Sequence, residues 1–177
     1  KLSKIKKIKV GILGGSFDPP HIGHLNISVE AKRSYKLSKI YWTITKKNPF
    51  KKKCKNNLEE RILLSKKISS KKKYIKICFF EKKIKSNRTI NLINYLERKF
   101  VRYELYLIIG ADNLINFHKW YKWKEITKKV RVLVFDRSGY KFKALNSVAY
   151  KKMGKKTFNF VNFRKVNISS SKIRNFW

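Results

Sequence analysis

The sequence predicts an α/β fold: a Rossmann-like, doubly wound, mostly parallel sheet with helices on both faces. Three observations lead there. Runs rich in β-branched and aromatic residues alternate with charged, amphipathic segments along the chain, a βαβα order that calls for a parallel sheet. No internal repeat interrupts that order. The 177 residues, with only seven Gly and three Pro, fit one domain spanning 1–177 with little room for linkers.

Element by element, residues 5–13 read as a first strand, apolar and ending at glycines. A helix is expected over 20–35, with Ile22, Leu25 and Val29 as its apolar stripe and Ile27 off it. KIYWTIT (39–45) reads as a strand, KKNPFKKKCKNN (46–57) as a basic loop, and LEERILLSKKI (58–68) as a helix capped by Asn57. YIKICFF (74–80) is a strand, TINLINYLERKF (89–100) a helix and ELYLIIG (104–110) a buried strand. ADNLINFHKW (111–120) opens another helix, VRVLVFD (130–136) is a strand, KALNSVAYKKM (143–153) a helix and TFNFVNF (157–163) the last strand.

Composition narrows the class. Hydrophobic residues make up 42% and aromatic residues 14%, enough to build a core despite 32% charged residues. No run of 18 apolar residues predicts a membrane span, and KLSKIKKIKV lacks the apolar core of a signal peptide. Cys54 and Cys78 form no CxxC pair, so reduced thiols and a cytoplasmic setting are expected. Forty-six Lys and Arg against ten Asp and Glu give +36, a field that attracts polyanions, nucleic acid included, non-specifically. Drift toward A+T-rich codons accounts for the same excess, because lysines are spread along the chain instead of gathered in one arm.

GGSFDPPHIGH (14–24) carries the chemistry. It falls after the first strand, at the carboxyl edge where parallel α/β sheets bind ligands. Gly14 and Gly15 permit close backbone approach, Pro19 and Pro20 pre-set the helix entry, and the helix start favours phosphate. His21 and His24, at i and i+3, are expected on one face of the first turn, both donating to one phosphoryl group. Asp18 is a carboxylate for capping the turn or for substrate. A Walker A loop and a GxGxxG fingerprint are both absent, and zinc lacks further ligands, since the other histidine is His118.

This stretch resembles the first signature of the nucleotidylyltransferase superfamily, and ISSSKIR (168–174) resembles its second. Between them, IIGADNLINFHKWYKWKEI and VLVFDRSGY are similar to the nicotinate-nucleotide adenylyltransferases of bacteria. The resemblance, covering 10–174, implies transfer of the adenylyl group of ATP to nicotinate mononucleotide, giving nicotinate adenine dinucleotide and pyrophosphate. It implies His21, His24 and Arg174 as catalytic residues. Gly14, Gly15, Ser16, Phe17, Gly110, Asp112, Ser169, Ser170 and Ser171 would bind ATP. Lys51, Lys52, Thr89, Trp120, Tyr121 and Arg137 would bind the mononucleotide, Trp120 by stacking on the pyridine. Magnesium (Mg2+) would ride mainly on the ATP phosphates, with no protein-built metal site. An oligomer is compatible with the family.

Departures from the family pattern are local. Thr45 stands for a proline, Lys51 for a histidine, Arg88 for the tyrosine beside Thr89, and Ser138 for a proline. Family members usually continue for another helix or two beyond Arg174, so with three residues after it the resemblance leads us to expect less cover for adenosine. Sister transferases acting on nicotinamide mononucleotide, phosphopantetheine or glycerol phosphate share both signatures. A basic nucleic-acid-binding protein on a decayed enzyme scaffold is the reading from another class.

Overall fold

The computed structural model describes residues 4–46, 53–136 and 139–162. Six parallel strands form one sheet in the order β3-β2-β1-β4-β5-β6. They are β1 (Ile8–Gly15), β2 (Lys39–Ile44), β3 (Ile75–Cys78), β4 (Tyr103–Gly110), β5 (Arg131–Phe135) and β6 (Phe158–Val161). The chain runs outward from β1 to β3 and then returns to place β4 on the other side of β1. The strand order therefore reverses between β1 and β4, and it is outside the carboxyl ends at such a switch point that parallel α/β sheets bind ligands. The doubly wound expectation holds.

Alternation along the central strands feeds two cores. Val10 and Ile12 of β1, with Leu105, Leu107 and Ile109 of β4, face one side. There they meet α4 (Thr89–Lys99), α5 (Ala111–Ile115), α6 (Trp123–Lys129), α7 (Lys141–Leu145) and α8 (Val148–Met153). Leu13, Ile40, Trp42, Tyr106 and Ile108 face the other side, against α1 (Ile22–Tyr35) and α2 (Leu58–Ile68). A short helix, α3 (Glu81–Ile84), precedes α4 and was not expected.

Several local readings are corrected. Strand β1 starts and ends later than 5–13, so Gly14 and Gly15 lie in it and pair with Thr43 and Ile44 of β2. Helix α1 begins at Ile22, leaving Pro19 and Pro20 ahead of its cap. Its buried residues are Gly23, Ile27, Ser28 and Ala31, while Ile22 is 46% exposed. The stripe was misjudged because Gly23 and Ser28, which carry no hydrophobic signal, share the core face with Ile27. The helix expected from 111 breaks at Asn116 into α5 and a single 3-10 turn (Phe117–Lys119), which drives Phe117 into the core. The helix expected over 143–153 is two helices, because Ser147 caps the N-terminus of α8 by accepting from the Tyr150 N–H. Asn57 caps α2 as expected, accepting from the Glu60 N–H at 2.8 Å.

Candidate active site

The carboxyl end of β1 leads through Ser16 to Pro20 into His21, the N-cap of α1. His21 Nδ1 accepts from the Gly23 N–H at 3.0 Å, and His24 Nδ1 accepts from the His21 N–H at 3.1 Å. This reciprocal capping satisfies two backbone donors that a helix start leaves open. It also fixes both tautomers: an imidazole nitrogen that accepts carries no hydrogen, so each neutral ring presents Nε2–H as its donor. The ring centroids lie 4.1 Å apart. His21 thus stands before the first turn and not on it, and both imidazoles lie together at the helix start.

Behind the histidines lies an aromatic stack. Phe17 is 1% exposed, with its ring 4.5 Å from that of His24 and 5.0 Å from that of Trp42. Trp42 Nε1–H donates to Ser28 Oγ, whose own hydroxyl donates to the His24 carbonyl oxygen, both at 2.8 Å. The Phe17 side chain therefore supports His24 from the core. Gly14 is exposed at the end of β1, and a Cβ there would come within 3.3 Å of Thr43 Oγ1. Its bare backbone suits close approach of a ligand.

Asp18 is fully buried. Its carboxylate accepts from the N–H groups of Lys55 and Asn56 at 2.7 and 3.1 Å, and from Asn56 Nδ2 at 2.8 Å. Sequence reasoning missed its counterpart, Arg61, which is 2% exposed. The available signal was an arginine at a core position of α2, in helical register with Leu58 and Ser65. Nearby, Glu81 Oε2 accepts from the Lys46 N–H at 3.2 Å. Burial pushes the Glu81 carboxyl above the usual carboxylate range, against the opposing pull of that bond and of Arg61.

The remaining expected residues are distributed along the same edge. Gly110 ends β4 and is the N-cap of α5, with Asp112 in that helix's first turn. Thr89 opens α4. Trp120 follows the 3-10 turn, half-buried, with its ring 4.8 Å from Phe117. Tyr121 is 48% exposed, and the Arg88 guanidinium stacks on its ring at 3.9 Å, joining the start of α4 to this loop. Lys51, Lys52, Arg137, Ser169, Ser170, Ser171 and Arg174 lie outside the described residues. Among the described residues, no three of His, Cys, Asp and Glu gather to hold a metal. No described helix is long and apolar enough to cross a membrane.

Two imidazoles and bare glycine backbone at the switch point of a parallel sheet form an arrangement that can hold nucleotide phosphates, as in the class of nucleotidyl-group transferases. Residues 12–176 match the cytidylyltransferase-like family model. A relative from Pelagibacter ubique (strain HTCC1062), named "Probable nicotinate-nucleotide adenylyltransferase", is 58% identical over 96% of this chain and 93% of its own. A relative of the same name from Bradyrhizobium sp. (strain ORS 278) is 37% identical over 80% of this chain and 74% of its own. In fold, the chain resembles the Plasmodium falciparum nicotinic acid mononucleotide adenylyltransferase complexed with NaAD. That match has a TM-score of 0.78 and 19% identity, over 96% of this chain and 83% of that one. The chain belongs to the cytidylyltransferase-like family, within its nicotinate-nucleotide adenylyltransferases.

Proposed function

We propose that the chain transfers the adenylyl group of ATP to nicotinate mononucleotide, releasing pyrophosphate and forming nicotinate adenine dinucleotide. The observation that carries the acceptor is the 58% identity to a relative of that name across nearly its whole length. The chemistry agrees with the site. The acceptor's phosphate is already an anion, so one of its oxygens attacks the α-phosphorus without a protein nucleophile. The bond from that phosphorus to the bridging oxygen breaks, and pyrophosphate leaves with the electron pair. Catalysis then consists of alignment and stabilisation of phosphate charge.

His21 and His24 donate from Nε2–H to the α-phosphate and its bridging oxygen, beside the positive end of α1. Gly14, Gly15 and the Ser16–Phe17 backbone line the approach of ATP. Gly110 and Asp112 bind the adenosine side, Asp112 through ribose hydroxyls. Ser169, Ser170 and Ser171 hold phosphate, and Arg174 clamps the β- and γ-phosphates with its planar fork. Lys51 and Lys52 attract the acceptor's phosphate, Arg137 and Thr89 complete its site, and Trp120 with Tyr121 bounds the pyridine. Magnesium, carried by the triphosphate, would offset its charge at this site. The setting is the cytoplasm, and binding to nucleic acid is non-specific.

Purified protein given ATP, magnesium and each mononucleotide separately tests the reading. Nicotinate mononucleotide is expected to exceed nicotinamide mononucleotide by at least about tenfold in kcat/KM. Equal use, or faster use of the amide, would reassign the acceptor and leave the adenylyl transfer standing.

A further inference from the structure

We propose that Arg61 is a positioning residue of the active site, holding the β1–α1 turn in the geometry from which the two histidines act. The proposal rests on the reading of that turn as the nucleotide-phosphate site. Arg61 Nη1 donates to the carbonyl oxygens of Ser16 and Thr45, both at 2.7 Å. Its Nη2 donates to Lys46 O at 3.0 Å and its Nε to Asn56 O at 3.2 Å. Those carbonyls belong to three separate stretches: the turn after β1, the exit of β2, and the residue ahead of the Asn57 cap of α2. A planar guanidinium serves four acceptors in diverging directions, whereas an ammonium radiates its donors from one point.

The turn requires such an anchor. Phe17 has φ of +50°, in the left-handed region that a side-chain-bearing residue enters at a cost. A residue stays there only where its surroundings fix it. Both neighbours of Phe17 are fixed, Ser16 through its carbonyl on Arg61 and Asp18 through its carboxylate on Lys55 and Asn56. The two anchors converge on one residue, because Asn56 gives its N–H to Asp18 and its carbonyl to Arg61. Between them the Phe17 ring touches His24. A shift of Ser16 is thus passed through Phe17 to the imidazole.

Packing alone does not account for a guanidinium here. Leu58 and Ile62 of α2 pack against an apolar cluster, and an apolar side chain would cover the same face without the expense of burying a charge. What an apolar side chain cannot do is fix three backbone stretches relative to one another.

Arg61→Lys in the full chain tests this, since it keeps charge and stem and removes the fork. The chain has three histidines, so an imidazole nitrogen NMR spectrum contains three patterns. The resonances of His21 and His24 are expected to shift while those of His118 stay in place. The kcat for adenylyl transfer is expected to fall about 10- to 100-fold, with KM for ATP and for nicotinate mononucleotide within about threefold. A lower melting temperature with unmoved His21 and His24 resonances would overturn the proposal, whatever happens to kcat. So would shifted resonances with unchanged turnover in an enzyme active as wild type. Arg61→Gln, which keeps a planar amide but has too few N–H groups for four carbonyls, is the second variant should Arg61→Lys not fold. It is expected to move the same two patterns, and the absence of any movement would likewise overturn the proposal. Failure of the wild-type protein to form nicotinate adenine dinucleotide would reject the functional reading, and the ligand-free spectra would then decide the positioning role alone.

Discussion

His24→Ala tests the catalytic part proposed for His24 beside its observed capping of the helix. His24→Ala removes a donor and also the Nδ1 acceptor for the His21 N–H. The kcat is expected to fall on the order of 10²-fold or more, with KM for ATP changing far less. The melting temperature should drop only slightly, as one cap bond is lost; normal turnover per folded molecule would leave His24 a purely structural role. Glu81 gives a pH signature. Its carboxyl titrates above the usual carboxylate value of 4.5, so the folded state holds that proton longer than the unfolded chain. Its contribution is therefore most favourable below that value and declines as pH rises through the raised one. Glu81→Gln, which still accepts from Lys46 N–H, should match wild type near pH 4 and gain in relative stability toward neutrality. Parallel thermal melts across that range check it, and a gain on the acid side would reverse the sign. At this scale the histidine pair was legible because its spacing and its flanking GGSFDPP are local. Arg61, Ser28 and the support role of Phe17 were not, since each acts on a partner far away in sequence: Thr45 and Ser16, Trp42, and again Trp42.

Among the elements, strands were read more faithfully than helices. Strands β2, β4 and β5 are buried runs of β-branched and aromatic residues, and no competing period obscures them. Helix α1 misled because its core face is partly built from Gly23 and Ser28, so hydrophobicity marks the wrong stripe. The division into α7 and α8 depends on a cap in the middle of a helical pattern. Ser147 is buried and accepts from the Tyr150 N–H, so Ser147→Ala is expected to cost about 1 kcal/mol. In a chain of this size that corresponds to a fall in melting temperature of about 2–4 °C. Calorimetry reads it directly, and an unchanged melt would mean that α7 and α8 form one continuous helix in solution.

For the whole molecule, charge rather than fold sets the behaviour toward substrates. Ion pairs among the described residues include Arg33–Glu30, Lys122–Glu125 and Lys129–Glu97, but ten acidic residues cannot neutralise 46 basic ones, and most of the basic side chains contribute to an unneutralised field. ATP and a mononucleotide are both anions, and such a field speeds their encounter with the crevice. Screening over about 8 Å at physiological ionic strength weakens that attraction. Raising salt from low to several hundred millimolar should thus lower kcat/KM severalfold while kcat stays nearly constant. A parallel fall in kcat would mean that salt acts on the site itself. Composition made this field plain in the sequence, whereas which lysines surround the crevice depends on how distant segments meet.

The parallel order of the sheet also governs how the chain acquires its shape during synthesis. β1 lies in the middle, yet its partner β4 is paired in register about 95 residues downstream, Ile8 with Tyr103. At about 5–20 residues per second, a ribosome needs about 5–20 s to make that intervening length. During that interval β2 and then β3 become available to β1, but one flank of β1 has no neighbour, and Val10 and Ile12 have no α4 to cover them until the interval is nearly over. The glycine-ended strand β1 is, for those seconds, the raw margin of a half-built sheet. Translation speed across 46–102, as much as the stability of the finished enzyme, then sets how much of the chain escapes aggregation.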